Sequence, residues 1–428
     1  MPHIVLIGTL DTKLQEFLYL HQQLNDLSTS TSSPLKVTLI DCGRTNIQHE
    51  AISISQQALI AEYGGSELKD TMKLPRGEVI QYMTQCCTAC LKTLLKDDQI
   101  HGILGAGGSG GTSLVSAVMR DAAPFGLPKL IVSTVASGDT SLFVGETDIT
   151  MMNSVVDIAG TNELLLNVLS NAAGAMVGMS AAYERTLERR SKETAQQVER
   201  VTRIGITMFG VTTPCVNYIT QYLTKNYPVE TYVFHATGHG GKAMERLVEE
   251  GRLDAVLDLT TTEICDHLFG GNMSAGPNRL EAALSAGIPN IISLGATDMV
   301  NFGARKAVPA EYLNRLLLEH NPTVTLMRTT KEECDAIGKF MVEKIKGFAK
   351  DQDMIEVWIP KGASVVSTPG EIFADEEADA ALAEAIKKGL EGTKIKIVQD
   401  TRHINEESFA SDIAESLMKI VSRKKDGV

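Results

Sequence analysis

Ile100-His101-Gly102-Ile103-Leu104-Gly105-Ala106-Gly107-Gly108-Ser109-Gly110-Gly111-Thr112 passes from an apolar run into a dense series of glycines. The apolar part reads as a buried strand, and Ser113 to Arg120 reads as a helix. A glycine turn between strand and helix gathers amide N–H groups, and the helix dipole adds positive potential, so the place suits a phosphate. Two motifs fit in part. Gly105, Gly107 and Gly110 satisfy the dinucleotide pattern Gly-x-Gly-x-x-Gly, while Gly105, Gly110 and Thr112 satisfy the P-loop with Gly111 where its lysine belongs. The dinucleotide reading fails on order, because that motif follows the first strand of its unit and this run follows the third candidate. The acid that would bind ribose about 20 residues on is also absent; the next strand ends in Ser133-Thr134. The P-loop reading needs another positive charge. Lys13, Arg44, or a magnesium ion held by Asp11, Asp41 or Asp139 are the candidates.

Outward from this run, short apolar segments alternate with amphipathic ones along the whole chain. The strand candidates are Ile4–Gly8, Lys36–Asp41, Gly102–Gly105 and Lys129–Thr134 in the first half. In the second half they are Arg203–Thr207, Glu230–Phe234, Ala255–Leu259, Asn290–Leu294, Thr323–Met327, Ile355–Pro360 and Lys394–Val398. This rhythm predicts an α/β fold of two Rossmann-like doubly wound domains, with parallel sheets covered by helices. Tyr183 to Arg200 is a charge-rich helical segment, polar nearly all round, and reads as a helical linker. It divides a nucleotide-binding domain, 1–200, from a second domain, 201–428. The amphipathic segment Ile404–Ser422 would close the second domain or reach back to the first.

Composition agrees with a folded, turn-rich chain: 428 residues, 43% hydrophobic, 22% charged, with 36 glycines. A net charge of −13 argues against nucleic acid as the main ligand. The seven cysteines include Cys86, Cys87 and Cys90 within a helical run, Val79 to Leu95. They have no second Cys/His pair at zinc spacing, so they read as buried thiols in a reducing cytoplasm. The opening Met-Pro-His-Ile-Val-Leu-Ile-Gly has no basic n-region and reads as a strand rather than a signal peptide. Leu164 to Tyr183 carries no charge and contains Gly174-x-x-x-Gly178. We read it as a buried helix or a subunit interface, not as a membrane span.

In doubly wound sheets, ligands bind beyond the carboxyl ends of the strands. In the first domain those ends supply Thr9, Asp11, Lys13, Asp41, Arg44, Gly107, Gly108, Ser109, Gly110, Gly111, Thr112, Ser137 and Gly138 as candidate cofactor contacts. Asp11, Asp41 and Asp139 are the candidate metal ligands. Asp148 and Asn153 either face this crevice or serve a turn. In the second domain His235, His239, Glu263, Asp298 and His403 are candidate acid/base groups. Gly240, Gly241, Lys242, Arg279 and Arg328 are candidate contacts for an anionic substrate. Convergence of these side chains on one face would build a polar pocket. No His-x-His, His-Glu-x-x-His or Gly-x-Ser-x-Gly occurs, and Met299 and Phe302 read as core.

Five blocks closely resemble an uncharacterised family of bacteria, fungi and plants: residues 7–13, 105–112, 132–139, 235–245 and 259–263. That family includes the plant tobamovirus-resistance protein, whose N-terminal part is an ATP-binding domain. The resemblance implies two Rossmann-like subdomains, bound ATP with magnesium, and a homodimer. It implies no reaction, and the antiviral role is not carried over.

Three functions follow as expectations. The first is an ATP-binding enzyme that hydrolyses or transfers a group on a small anionic metabolite. The second is an ATP-dependent binding or regulatory protein without turnover, which the missing P-loop lysine favours. The third is a nicotinamide-dependent oxidoreductase, for which the ribose-binding acid is lacking.

Overall fold

The computed structural model describes residues 1–30, 34–97, 99–195, 201–368 and 370–425. The chain divides into two compact units, Met1–Val198 and Glu199–Val428.

The first unit runs β1 (His3–Gly8), α1 (Leu10–Ser30), β2 (Lys36–Asp41), α2 (Gln56–Tyr63), α3 (Arg76–Asp97), β3 (Gly102–Gly107), α4 (Ser109–Ala122), β4 (Lys129–Ser133), α5 (Ser141–Val144), β5 (Thr150–Asn153) and α6 (Glu163–Ala195). Its sheet is wholly parallel, in the order β2-β1-β3-β4-β5. Every residue of β1, β3 and β4 is buried, as expected for strands covered on both faces. Alternate side chains feed two cores: Val5, Ile7, Ile103 and Ile131 pack with α3 and α4, while Ile4, Leu6, Leu104 and Val132 pack with α1 and α6. The strand order reverses direction between β1 and β3, and a crevice opens at such a point.

The glycine run is not the loop expected from the sequence. Gly105 and Gly107 lie in β3, Gly110 and Gly111 lie in the first turn of α4, and Gly108 alone stands between them as the N-cap. The helix therefore starts at Ser109, four residues before the expected start. Half of these glycines are required by packing. A Cβ on Gly102 would fall 2.4 Å from Met176 Sδ, on Gly105 2.5 Å from Val115 Cγ1, and on Gly107 2.9 Å from Gly111 Cα. Gly108, Gly110 and Gly111 meet nothing nearer than 3.2 Å.

α6 is one long helix, so the expected linker is its C-terminal part as far as Ala195, and 196–200 lie outside the described residues. The apolar stretch of α6 is long and apolar enough to cross a membrane. One face, Leu165, Leu169, Ala172, Ala173 and Met176, is fully buried, whereas Gly174 and Gly178 are exposed.

The second unit runs β6 (Thr202–Met208), α7 (Thr213–Asn226), β7 (Val229–His235), α8 (His239–Glu249), β8 (Ala255–Thr260), α9 (Thr262–Phe269), α10 (Glu281–Ala286), β9 (Asn290–Gly295), β10 (Met299–Phe302), β11 (Leu317–Asn321), β12 (Val324–Arg328), α11 (Lys331–Phe348), β13 (Ile355–Ile359), α12 (Glu376–Gly389), β14 (Lys396–Gln399) and α13 (Glu407–Lys425). Its parallel sheet has the order β7-β6-β8-β9-β13-β14, so the first strands of both units follow one winding scheme. α13 packs on α7, with Phe409, Ile413 and Leu417 against Ile219 and Leu223, and so closes this unit.

The expected strand at Thr323–Met327 exists as β12 but lies outside the parallel sheet. It forms an antiparallel sheet, β10-β12-β11, with two strands that the sequence reading missed. Only Pro322 and Thr323 link β11 to β12, and a link that short joins strands only antiparallel. β5 was also missed; it is a four-residue, half-exposed edge strand. Met299 and Phe302 are core, as expected.

Candidate functional site

The carboxyl ends of β1, β2 and β3 bring the first-domain candidates together, but most are already bonded within the protein. Thr9 forms the turn into α1, where its carbonyl accepts from the Thr12 and Lys13 amides. Lys13 Nζ donates to the Ile158 carbonyl at 2.6 Å. Asp11 Oδ2 accepts from the Arg44 and Thr45 amides. Asp41 Oδ1 accepts from the Leu10 and Gly43 amides, while its Oδ2 is buried without a hydrogen-bond partner. Burial raises the Asp41 pKa against the pull of those amides. Asp11 and Asp41 flank Gly43, where an added Cβ would sit 2.8 Å from Asp11 Oδ1 and 3.0 Å from Asp41 Oδ1.

Two expectations change here. Arg44 is not a free cation over the crevice, because its Nη2 donates to the Met72 and Leu74 carbonyls at 3.0 and 2.8 Å. Asp139 does not join Asp11 and Asp41; it is exposed, and its Oδ1 accepts from the Ser141 amide at the start of α5. Among the described residues, no group of three or more His, Cys, Asp or Glu side chains is placed to hold a metal ion. Ser137 and Gly138 are exposed on the turn after β4. Asp148 resolves as structural, since it pairs with the buried Lys129 at 2.7 Å and accepts from the Gly126 amide. Asn153 likewise accepts from the Val155 amide.

What stays open is the N-terminus of α4. The Ser109, Gly110 and Gly111 amides have no partner among the described residues, and Gly108 supplies no side-chain cap. Thr112, by contrast, is fully buried, and its hydroxyl meets Ser133 Oγ at 2.7 Å and the Gly107 carbonyl at 3.3 Å. It braces the turn from beneath. Orphan amides at a helix N-terminus, with the dipole behind them, are the physical requirement for holding an anion. One cation lies beside them that the sequence reading did not name: Arg76, the first residue of α3. The spacing of 34 positions from Gly110 leaves no local signal; only the packing of α3 on α4 joins them.

The second domain does the opposite with a similar feature. The N-terminus of α8 has Gly238 at φ +90° and two glycines in its first turn. Two of its amides are taken, because Glu263 Oε1 accepts from Gly238 at 2.7 Å and from Gly241 at 3.0 Å. Glu263 is fully buried at the start of α9, so the protein's own carboxylate fills this anion position. The glycines are needed for that closure: a Cβ on Gly240 would fall 2.0 Å from the His235 carbonyl oxygen, and on Gly241 2.0 Å from Glu263 Oε2. Arg279 is likewise interior. It pairs with Glu263, Asp258 and Glu245, all missed or misassigned as its partners from sequence. Burial works against its charge, yet these carboxylates hold its pKa well above the ordinary value. Burial also raises the Glu245 pKa.

The remaining candidates fall into two separated groups. His235 and His239 are exposed at the β7 edge, with His235 edge-on to Phe209 at 5.5 Å, and Lys242 is exposed one residue past Gly241. Asp298, Arg328 and His403 lie in the half of the sheet around β9, β13 and β14. With strands about 4.8 Å apart, the two groups stand at least three strand spacings from one another in the order β7-β6-β8-β9. The end of β6 between them is covered by an apolar cluster in which Phe209 and Val211 pack on Met299, Leu326 and Phe373.

In the second group, Asp298 Oδ2 accepts from Ser364 Oγ at 2.5 Å, and burial raises the Asp298 pKa. Arg328 bonds Asp379, the Phe373 carbonyl and Thr329, so it too is an interior clamp rather than a free substrate contact. Burial pushes Asp379 up to about 6. His403 Nδ1 accepts from the Asn405 amide and Nε2 contacts the Ser364 carbonyl, which sets its tautomer. Beyond β13 and β14 a cavity of about 1120 Å³ is lined by Lys361, Ser367, Thr368, Asp379, Asp400 and His403 among others.

Comparison with known proteins places both halves in one family description. Residues 2–185 match the N-terminal domain of "Uncharacterised protein family (UPF0261)", and residues 201–421 match its C-terminal domain. A UPF0261 protein of Clostridium tetani is 43% identical over 429 residues, covering 98% of this chain and 99% of the relative. The ToMV resistance protein Tm-1(GCR237) of Solanum lycopersicum is 39% identical, over 99% of this chain but 56% of the tomato protein. The ToMV susceptible protein tm-1(GCR26) is 38% identical over 98% of this chain and 56% of its own length. Among solved structures, a UDP-GlcNAc 2-epimerase from Neisseria meningitidis aligns over 98% of this chain and 100% of its own. Its identity is 12% and its TM-score 0.21, too low to carry an argument.

Proposed function

The chain belongs to the uncharacterised protein family UPF0261, and from the geometry of its first domain we propose that it is an ATP-binding protein with its phosphate site at the start of α4. The observation that carries this is the uncapped N-terminus of that helix at the reversal point of the strand order, with three open amides and an unpaired guanidinium beside it. Adenine nucleotide is chosen over nicotinamide because the glycine turn follows the third strand. A magnesium ion would ride on the phosphates, since such ions use few protein ligands. Asp11, half-buried, is the acid suited to meet it, whereas Asp41 is fully enclosed.

A role in binding without turnover agrees with two observations: Gly111 stands where a P-loop lysine would be, and Glu263, Arg279 and Arg328 are bonded internally. An enzymatic reading, hydrolysis or group transfer on a small anionic metabolite, rests on His239 and Lys242, which are exposed at the start of α8 with no partner among the described residues. Resemblance to the resistance and susceptible tomato proteins is equal within one per cent, so an antiviral role gains nothing from it.

Thermal melting with ATP, ADP, NAD and NADP, each with and without magnesium, tests the proposal. A ligand at a hundredfold excess over its dissociation constant adds about 2.7 kcal/mol of stability. ATP with magnesium is expected to raise the midpoint, and NAD is not. Absence of a shift with every adenine nucleotide would overturn the assignment. His239→Ala should leave the ATP-induced shift intact in either reading.

A further inference from the structure

We propose that the cavity beyond β13 and β14 in the second domain is a binding site for a small organic ammonium ion, with the charged group among Asp375, Glu376 and Asp379 and the hydrocarbon part along Pro360, Ala380 and Ala383. The cavity, about 1120 Å³, has the size of a small-molecule site and stands beyond the carboxyl ends of parallel strands, where α/β sheets bind ligands. α12 carries the chain from β13 to β14. Glu376, Asp379, Ala380 and Ala383 of this helix line the cavity, at the i, i+3, i+4, i+7 spacing of one helix face. Acids thus occupy the first turn, and alanines follow about 6 Å further along the axis.

Charge at this wall is out of balance. Arg328 supplies the positive charge, with Nη2 donating to Asp379 Oδ1 at 2.6 Å. Against it stand three carboxylates. Burial raises the Asp379 pKa, and the charges of Asp298 and Asp375 add to that rise while Arg328 opposes it. Asp375 Oδ1 accepts from the Ala378 amide. The second oxygens of Asp375 and Asp379 have no hydrogen-bond partner among the described residues. Asp298 is 1% exposed, stands against the lining residue Ser367, and keeps Oδ1 buried without a partner. The Arg279 cluster also sets three acids around one guanidinium, but there the amides of Gly238, Gly241, Leu280 and Ala282 donate to Glu263 and Glu245. Around Asp379 such donors are missing, and an ammonium group entering the cavity brings three of them together with the absent charge.

The lining selects against other ligands. An anion would meet a helix start already capped by Asp375 and flanked by Glu376, Glu377 and Asp379. Lys361 is the only Lys or Arg among the described lining residues. A metal ion lacks a ligand set, since no group of three or more His, Cys, Asp or Glu side chains among the described residues is placed to hold one. No Phe, Tyr or Trp is among the described lining residues either, so a quaternary ammonium finds no aromatic cage.

Ligand-observed NMR titration of the full chain with n-hexylamine, 1-hexanol and hexanoate, for wild type, Asp379→Asn and Ala380→Trp, tests this. Wild type is expected to bind hexylamine about 10-fold tighter than 1-hexanol, as a charge-assisted hydrogen bond predicts, and hexanoate weakest. Asp379→Asn is expected to remove that advantage of about 10-fold while leaving 1-hexanol unchanged. Ala380→Trp, at an exposed position, fills the cavity and should abolish binding of both. Hexanoate bound as tightly as hexylamine would overturn the proposal. Hexylamine affinity unchanged in Ala380→Trp would place the amine elsewhere on this acidic protein and overturn it too, as would absence of binding to wild type. Melting temperatures of the unliganded variants serve as the folding control. Should Asp379→Asn fail to fold, because Arg328 loses its partner, Glu376→Gln replaces it, since Glu376 is exposed and has no hydrogen-bond partner among the described residues. Unchanged hexylamine affinity in that variant would overturn the role given to the acids.

Discussion

Glu263 and Arg279 meet in the second domain as a fully buried ion pair, Oε2 to Nε at 2.9 Å. The other oxygen of Glu263 closes the start of α8, and the rest of the Arg279 guanidinium binds Asp258 and Glu245. Three acids thus depend on one interior cation. Removing it leaves buried carboxylates uncompensated, which typically costs about 3–5 kcal/mol. Arg279→Met should therefore destabilise the second domain by that order in urea denaturation, without altering ATP affinity. A loss below about 1 kcal/mol would show that water already reaches the cluster.

Gly107 and Gly110 should respond oppositely to alanine. A Cβ on Gly107 strikes the backbone of Gly111, which cannot give way as a side chain does. Gly107→Ala is expected to cost about 1–3 kcal/mol of stability. At Gly110 the nearest atoms are the end of Arg76 and Ile80 Cδ1, and alanine is the better helix former. Gly110→Ala should keep or raise the melting temperature while lowering ATP affinity. Unchanged affinity would place the phosphate elsewhere.

Asp266 sets a pH dependence whose sign is defined. Burial raises its pKa from 3.8 to about 7, against donation from the amides of Asn301 and Met273 and the Asn301 side chain. The folded state therefore keeps a proton that the unfolded chain releases between 3.8 and about 7, and stability falls as pH rises through that window. Melting temperatures measured between about pH 5 and pH 8 should drop more in wild type than in Asp266→Asn. Parallel curves would assign the slope to other groups.

The seven cysteines are free and buried. Burial pushes Cys90 up to about 12 and Cys334 up to about 11, so little thiolate forms near neutrality. A thiol reagent should label the native protein slowly and all seven positions at once on unfolding. Rapid labelling of Cys87 or Cys90 in the native state would contradict their placement in the core of α3.

The alternation of buried apolar runs with amphipathic helices made the two parallel sheets legible, because strands buried on both faces are mostly apolar, as in His3–Gly8 and Asn290–Gly295. The sheet of β10, β11 and β12 was not legible, since its strands are short and β11 is half-exposed. The glycine run after the third strand was recognisable in the chain, whereas its division between β3 and the first turn of α4 was not.

The fate of each charged residue was settled only by folding. Glu263 and Arg328 have the composition of a reactive pocket, yet each spends its charge on a distant interior partner, Arg279 or Asp379. Arg76 has no distinguishing neighbour in sequence, yet packing of α3 on α4 carries it to Gly110. Periodicity is a local property, and the chain displays it residue by residue. Charge pairing depends on which strand ends and helix starts meet in space, and the three-dimensional fold alone determines that.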